Sequence, residues 1–282
     1  MRKMRLKEFW RRYKKNKAAL IGLIIFIIML FFAIFPYISP YDPREFNTES
    51  TMILKPPDLK NPMGTDNFGR DILSRIIWGT RATLLVGIVV AAIAVGIGII
   101  IGSLAGYIGG RVESLLMRFV DIFITIPTFF LALVITSLFS KGILNVILIL
   151  GFLYWPEIAR LVRAEFIATK ELEYVEAARA AGMSAFYVIF KEILPNVIYS
   201  AIINASMQVA HAILSSTALS FLGLGDPNII DWGWMLNDAF RYFRRAWWMA
   251  AFPGLFIAIT VIAFNLIGDG LNDALNPRLK GG

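Results

Sequence analysis

Cysteine is absent from this chain, which excludes disulfides, thiol nucleophiles and thiolate-ligated metals outright. Histidine occurs once, at His211, so a multi-histidine metal centre is excluded too. No glycine is followed by a lysine, and the chain therefore lacks the Gly-x4-Gly-Lys-Ser/Thr loop that cradles nucleotide phosphates. If it takes part in ATP-driven work, another subunit must hydrolyse the nucleotide. Strands alternating every second residue, as a membrane barrel requires, are also missing.

What the chain has in abundance is apolar sequence: 57% of its 282 residues are hydrophobic and the mean hydropathy is +0.66. Apolar runs of about 18 residues or more read as spanning helices, because a ~30 Å hydrocarbon layer needs ~20 residues at 1.5 Å each. Six such runs can be drawn, over residues 18–35, 82–104, 115–139, 143–162, 197–221 and 247–267. The expected fold class is an all-α membrane protein with six transmembrane helices. The third run has Pro127 inside it, and Pro156, Glu157 and Arg160 interrupt the end of the fourth. The first run follows a basic stretch, as a signal peptide would, but no small-residue cleavage site follows. It is read as a retained span.

The net charge of +8 is topological rather than a nucleic-acid footprint, since Lys and Arg collect on the cytoplasmic side of membrane proteins. With a cytoplasmic N-terminus, eighteen of the 28 basic residues fall in inner segments, nine of them before the first span. Both termini are therefore expected inside. The segments are then a basic cytoplasmic N-terminus (1–17), a first span (18–35), an extracytoplasmic segment (36–80), a transmembrane domain (81–270) with a cytoplasmic loop at about 163–195, and a C-terminal tail (271–282).

Several patterns bear on function. Gly98, Gly102 and Gly106 form a small-residue ladder on one face of the second span, which suits close helix packing. Ser200, Asn204, Gln208, His211 and Ser215 recur at spacings of 4, 4, 3 and 4 along the fifth span. At roughly 100° per residue they fall within roughly 80° of one another. Such a stripe either bonds a neighbouring helix or lines a wet path; its length favours the path. Asp121 lies near the inner end of the third span, where Arg118 could neutralise it by an i,i+3 contact; a cavity-lining role is the alternative. Ile72, Leu73, Ile76 and Ile77 have helical spacing before the second span, which fits an interfacial amphipathic helix as well as a solvated loop. After the fifth span, Gly223 and Gly225 stand near Trp232 and Trp234. The tryptophans fit interfacial anchors, and the glycines fit an outer gate or hinge.

Between the fourth and fifth spans lies "EYVEAARAAGMSAFYVIFKEILPN", residues 173–196. Acidic residues come early, alanines in the middle, Arg179 late and Gly182 last, an order that suits a short helix over 171–182 and its dipole. Pro195 is then expected to open the next helix, where its missing N–H costs little. A small-residue helical hairpin would thus face the cytoplasm.

"EAARAAG" (Glu176–Gly182 in this numbering) followed by Leu194-Pro195 resembles the loop of ABC-importer permeases that reads Glu-Ala-Ala-x3-Gly-x9-Ile-x-Leu-Pro. Glu192 stands at the isoleucine position, with Ile193 one later, a departure from that pattern. "GTDNFGRDILSR" at 64–75, "MRFVDIFITIP" at 117–127, "LSFLGLG" at 219–225 and "NLIGDGLNDALNPRL" at 265–279 are similar to the C-type permeases of dipeptide and oligopeptide importers. The resemblance implies the type I importer permease fold with one extra N-terminal span. It implies a coupling helix docked on an ATPase subunit, with Glu173, Glu176, Ala177, Ala178, Gly182, Leu194 and Pro195 as coupling residues. It also implies a prokaryotic cell-membrane assembly with a second, homologous permease, two ATPase subunits that bind ATP and Mg, and an extracytoplasmic solute-binding protein. This chain itself would bind no cofactor and catalyse nothing. Peptides are the favoured cargo, with oligosaccharides and nickel as alternatives; a secondary transporter would need paired intramembrane carboxylates or an inverted repeat that the sequence lacks.

Overall fold

The structure is a computed structural model that describes residues 6–275 apart from 48 and 50. Arg278, Lys280 and the end of the 265–279 motif lie outside the described residues. A short amphipathic helix, α1 (Leu6–Tyr13), leads into α2 (Lys17–Ile34), whose first turn is capped by the Asn16 side chain accepting from Ala19 N–H at 3.0 Å. Pro36 stops it. After a long non-helical segment come α3 (Ile72–Ile108), α4 (Gly110–Thr125), α5 (Thr128–Leu138) and α6 (Ile143–Lys170). Then follow α7 (Glu173–Ala180), α8 (Ala185–Tyr187), α9 (Leu194–Phe221), α10 (Trp232–Phe240) and α11 (Trp248–Leu275). Among the described residues, five helices are long and apolar enough to cross a membrane, or six if the bent pair α4–α5 is one span. That is the expected count.

Four expectations about boundaries change. The expected span at 115–139 is broken, with α4 and α5 meeting at an angle of 80°. Pro127 is the cause: it forces Ile126 into an extended conformation (ψ 126°), which no helix can continue through. The fourth span runs on to Lys170, eight residues past the expected end, with Pro156 inside it. The fifth begins early: Ser184 caps α8 by accepting from Tyr187 N–H at 3.2 Å, and a π turn (Val188–Ile193) carries the helix into α9. Pro195 thus stands in the first turn of α9, as expected, but helical structure already precedes it. The π turn fits a proline inside a continuing helix, because its wider i→i+5 bonding relieves the contact with the preceding turn.

The fourth change concerns residues 72–77. They are neither an interfacial helix nor a loop but the first turns of α3, whose 37 residues measure ~55 Å. That exceeds the hydrocarbon layer by ~25 Å, and protein covers the excess: Ile72 and Ile76 are almost fully buried. Asp71 starts the helix by accepting both the N–H (2.8 Å) and the O–H (2.7 Å) of Ser74. Trp232, fully buried on α10, donates its indole N–H to Ile76 O at 3.1 Å, and Trp248 donates to Thr65 O at 3.1 Å. Trp232 is therefore a packing element, not an interfacial anchor.

The glycine ladder behaves as its spacing suggests. A Cβ on Gly98 would stand 2.6 Å from Ile158 Cβ, and one on Gly102 would stand 2.6 Å from Ala159 O. Gly106 similarly abuts the Arg163 backbone. These contacts let α3 and α6 lie along each other, which matters where lipid gives helices no hydrophobic reason to associate. α2 packs on α11, and α9 lies against α3, α6 and α11.

Candidate functional site

At one end of the bundle α7 projects as a short helix. Its buried side is Val175, which packs with Phe166 of α6 and with Val188, Ile193 and Val197 of the following helix; Leu194 is partly buried on the same cluster. Its exposed side consists of Glu173, Glu176, Ala177 and Ala180, at i, i+3, i+4 and i+7. Ala178 is partly buried and Pro195 exposed. The face is acidic and small.

The α7 terminus is well defined. Met183 N–H bonds Ala178 O at 3.1 Å and Gly182 N–H bonds Arg179 O at 2.9 Å, with Gly182 at φ +75°. This is the paired closure that glycine permits at a helix C-terminus. Gly223 ends α9 in the same way, at φ +81°, with Leu224 N–H on Leu219 O and Gly223 N–H on Ser220 O, both at 2.9 Å. Its neighbour Gly225 lies tight against Ser220 and Trp234.

Side chains connect α7, and the adjoining end of α6, to the ends of the other helices. Arg179 stacks over the Tyr107 ring of α3 at 5.3 Å, and Lys170 donates to Gly106 O at 3.2 Å. Arg163 pairs with Glu113 of α4, and Asn196 of α9 donates to Tyr174 OH at 3.0 Å. Near α7, Met183, Phe186, Tyr187 and Phe190 are exposed, with the Phe186 and Phe190 rings 4.4 Å apart. Such apolar exposure suits contact with another protein or with the membrane interface.

The polar stripe of α9 meets a matching stripe on α6. Ser200 donates to Glu165 at 3.2 Å, Gln208 donates to Glu157 at 3.3 Å, and Ser215 shares a 2.5 Å hydrogen bond with Tyr154. Asn204 bonds its own helix at Ser200 O, 3.0 Å. His211 is exposed. Much of the stripe is therefore a helix–helix seam. The α6 half was missed from sequence, although Tyr154, Glu157, Leu161 and Glu165 have helical spacing of 3, 4 and 4.

Asp121 does not pair with Arg118. Its partner is Arg160 of α6, so the ion pair joins α4 to α6 across two elements, and both side chains are about half exposed. Arg118 is exposed. An i,i+3 partner was available, but the long helix α6 runs alongside and offers a guanidinium from the side.

A second charged cluster lies at the opposite end of the bundle. Arg70 contacts Asp66 at 2.6 Å and Asp238 at 3.4 Å, while Arg75 lies 3.7 Å from Asp66 and 4.0 Å from Asp238. Burial raises the Asp238 carboxyl pKa above its ordinary value, with both arginines opposing. Asp231 caps α10, accepting from Trp234 N–H at 2.9 Å and Ser220 O–H at 3.2 Å. Its removal from water pushes its pKa up to about 6 against the pull of those bonds. These groups fasten the long segment before α3 to α10.

Comparison with known proteins agrees with this architecture. Residues 98–281 match the family described as binding-protein-dependent transport system inner membrane component. Residues 5–57 match the N-terminal TM domain of oligopeptide transport permease C. The dipeptide transport system permease protein DppC of Escherichia coli K12 is 44% identical, over 98% of this chain and 94% of that protein. The di/tripeptide permease DppC of Pseudomonas aeruginosa is 40% identical, over 98% and 93%. Among solved structures, a chain of the MetNI methionine ABC transporter in an inward-facing conformation matches with a TM-score of 0.58. It is 23% identical, with 72% of this chain and 96% of that one covered.

Proposed function

This chain belongs to the binding-protein-dependent ABC transport permeases, in their oligopeptide permease C branch, and we propose that it forms half of an import path for di- and tripeptides. It is a multi-pass membrane permease and not the ATPase. The observation that carries the peptide reading is the similarity to peptide permeases along 98% of the chain. The hydrogen-bonding character of the α6–α9 seam supports it, since amide and hydroxyl groups suit a peptide backbone. Oligosaccharides would suit the same groups, but the relatives favour peptides.

In this reading the partners are a second, homologous permease, two ATPase subunits and an extracytoplasmic binding protein. The α7 face of Glu173, Glu176, Ala177 and Ala180, bordered by Ala178, Gly182, Leu194 and Pro195, is the coupling element that enters a groove on one ATPase. ATP binding and Mg chemistry stay with that subunit. The loaded binding protein docks at the α10 end, over the 36–71 segment and 221–246, where Gly223 and Gly225 border the entrance. Closure of the ATPase pair displaces α7. Arg179 on Tyr107, Lys170 on Gly106 and Arg163 on Glu113 carry that displacement to α3, α6 and α4. Nucleotide and binding protein drive the switch because each binds one state better. The substrate then passes the seam edge marked by Asn204 and His211, with Gln208 buried behind them.

The test is uptake by liposomes holding the whole assembly with its binding protein. Labelled dialanine should accumulate with ATP, and oligosaccharides should not compete; sugar uptake without peptide uptake would refute the peptide assignment. Topology has its own check. With no native cysteine, Ser184→Cys should react with an impermeant thiol reagent only from the cytoplasmic side, and ATPase subunits should protect it. Labelling from outside would reverse the assigned orientation.

A further inference from the structure

Among the described residues, Glu157 is a carboxylate without a counter-charge. It lies on α6 in the inner half of the expected fourth span (143–162), one turn before Arg160, where a charge is expensive unless it faces water or serves a function. Its side chain is exposed, and its hydrogen bond comes from Gln208 at 3.3 Å. An ionised carboxylate has about four acceptor positions, so this bond leaves most of its capacity free. Among the described residues no Lys, Arg or His lies within ion-pair distance of it. The cation one turn away, Arg160, is held by Asp121.

Burial and bonding set Glu157 apart from the other acidic groups of the seam. Glu165 lies near the α7 end, accepts from Ser200 and is partly buried. Glu113 and Asp121 are neutralised by arginines. Glu157 combines a place within the expected span, exposure, the Gln208 amide that donates to it, and the Tyr154 hydroxyl one turn before it on α6. That set complements a primary ammonium, which brings three donors and one positive charge. On the peptide reading above, every unmodified di- or tripeptide carries one at its N-terminus. We propose that Glu157 binds the α-ammonium of the peptide in the inner half of the path, with Gln208 holding the carboxylate in place. The inference rests on the peptide assignment.

Transport by the complete reconstituted assembly tests it, with labelled dialanine as the probe and ATP hydrolysis measured on the same liposomes. Glu157→Gln keeps the shape and removes the charge. It should lower dialanine uptake at least tenfold while hydrolysis stimulated by loaded binding protein stays within twofold, because the ATPase contact lies elsewhere. Glu157→Asp, which restores the charge, should recover most of the uptake. Wild-type uptake by Glu157→Gln would overturn the assignment. So would parallel loss of assembly and ATP hydrolysis, which would mean that Glu157 pairs with a cation of the second permease. A wild-type assembly that ignores dialanine would instead bring down the peptide assignment and this inference with it, an outcome told apart by the wild-type control alone.

Discussion

Glu176→Lys combined with Gly182→Pro should abolish peptide uptake while the chain still inserts and accumulates in the membrane. The two changes attack the α7 unit by different routes. Gly182 holds φ +75° and donates its N–H to Arg179 O at 2.9 Å. Proline fixes φ near −65° and has no N–H, so the C-terminal closure of α7 is lost twice over. An eight-residue helix has almost no stability of its own in water. It depends on that closure and on Val175 in its apolar pocket. Glu176 contributes nothing to either, being exposed about 100° round the helix from Val175; lysine there reverses the charge of the proposed coupling face. Since α7 lies outside the spans, the bundle should survive. Uptake by liposomes and the amount of protein in the membrane fraction are the two readouts. Uptake close to wild type would show that α7 is not the coupling element.

Gly102→Leu should have the largest effect on folding itself. Even a methyl at this position would stand 2.6 Å from Ala159 O and 2.7 Å from Val162 Cβ. Neither is the movable end of a flexible side chain, so α3 and α6 must separate or the helices must shift. Overpacking of a tight contact costs typically 1–3 kcal/mol and occasionally more. Here the change adds four carbons at a backbone contact, so about 3 kcal/mol or more is expected, a large share of a marginal total. The variant should fail to accumulate, or unfold at clearly lower temperature in detergent. Gly96→Leu is the control on the same helix, because a methyl placed there would meet nothing within 4 Å. If Gly102→Leu and Gly96→Leu accumulate alike, the ladder is not what holds α3 to α6.

Residue patterns and tertiary contacts divide the explanation of this protein along a physical line. The spans were readable because desolvation of apolar side chains is summed over some 20 consecutive residues, whatever they later touch. The end of α7 at Gly182 was readable because positive φ is a property of one residue. The ladder of Gly98, Gly102 and Gly106 was readable as packing because small size at a four-residue period leaves few other uses. Motif order supplied the permease family in the same local way.

The partner of each polar group, by contrast, depends on which helix happens to lie beside it. Asp121 had a cation one turn away in Arg118, yet α6 brings Arg160 to it instead. The α9 stripe, whose length favours a path, becomes in large part a helix contact once α6 supplies Tyr154, Glu157 and Glu165. The break at Pro127 shows an intermediate case: proline forbids a straight helix through Ile126, but the 80° bend depends on where α4 and α5 each find neighbours. The first turns of α3 depend on burial under α10, 156 residues further along the chain at the Trp232 contact. Sequence alone thus determined the membrane class, the number of spans, the helix terminators and the family. Tertiary structure decided the charge partners, the covered faces and the isolation of Glu157, because hydrogen bonds and ion pairs act over a few ångströms between residues that only the fold brings together.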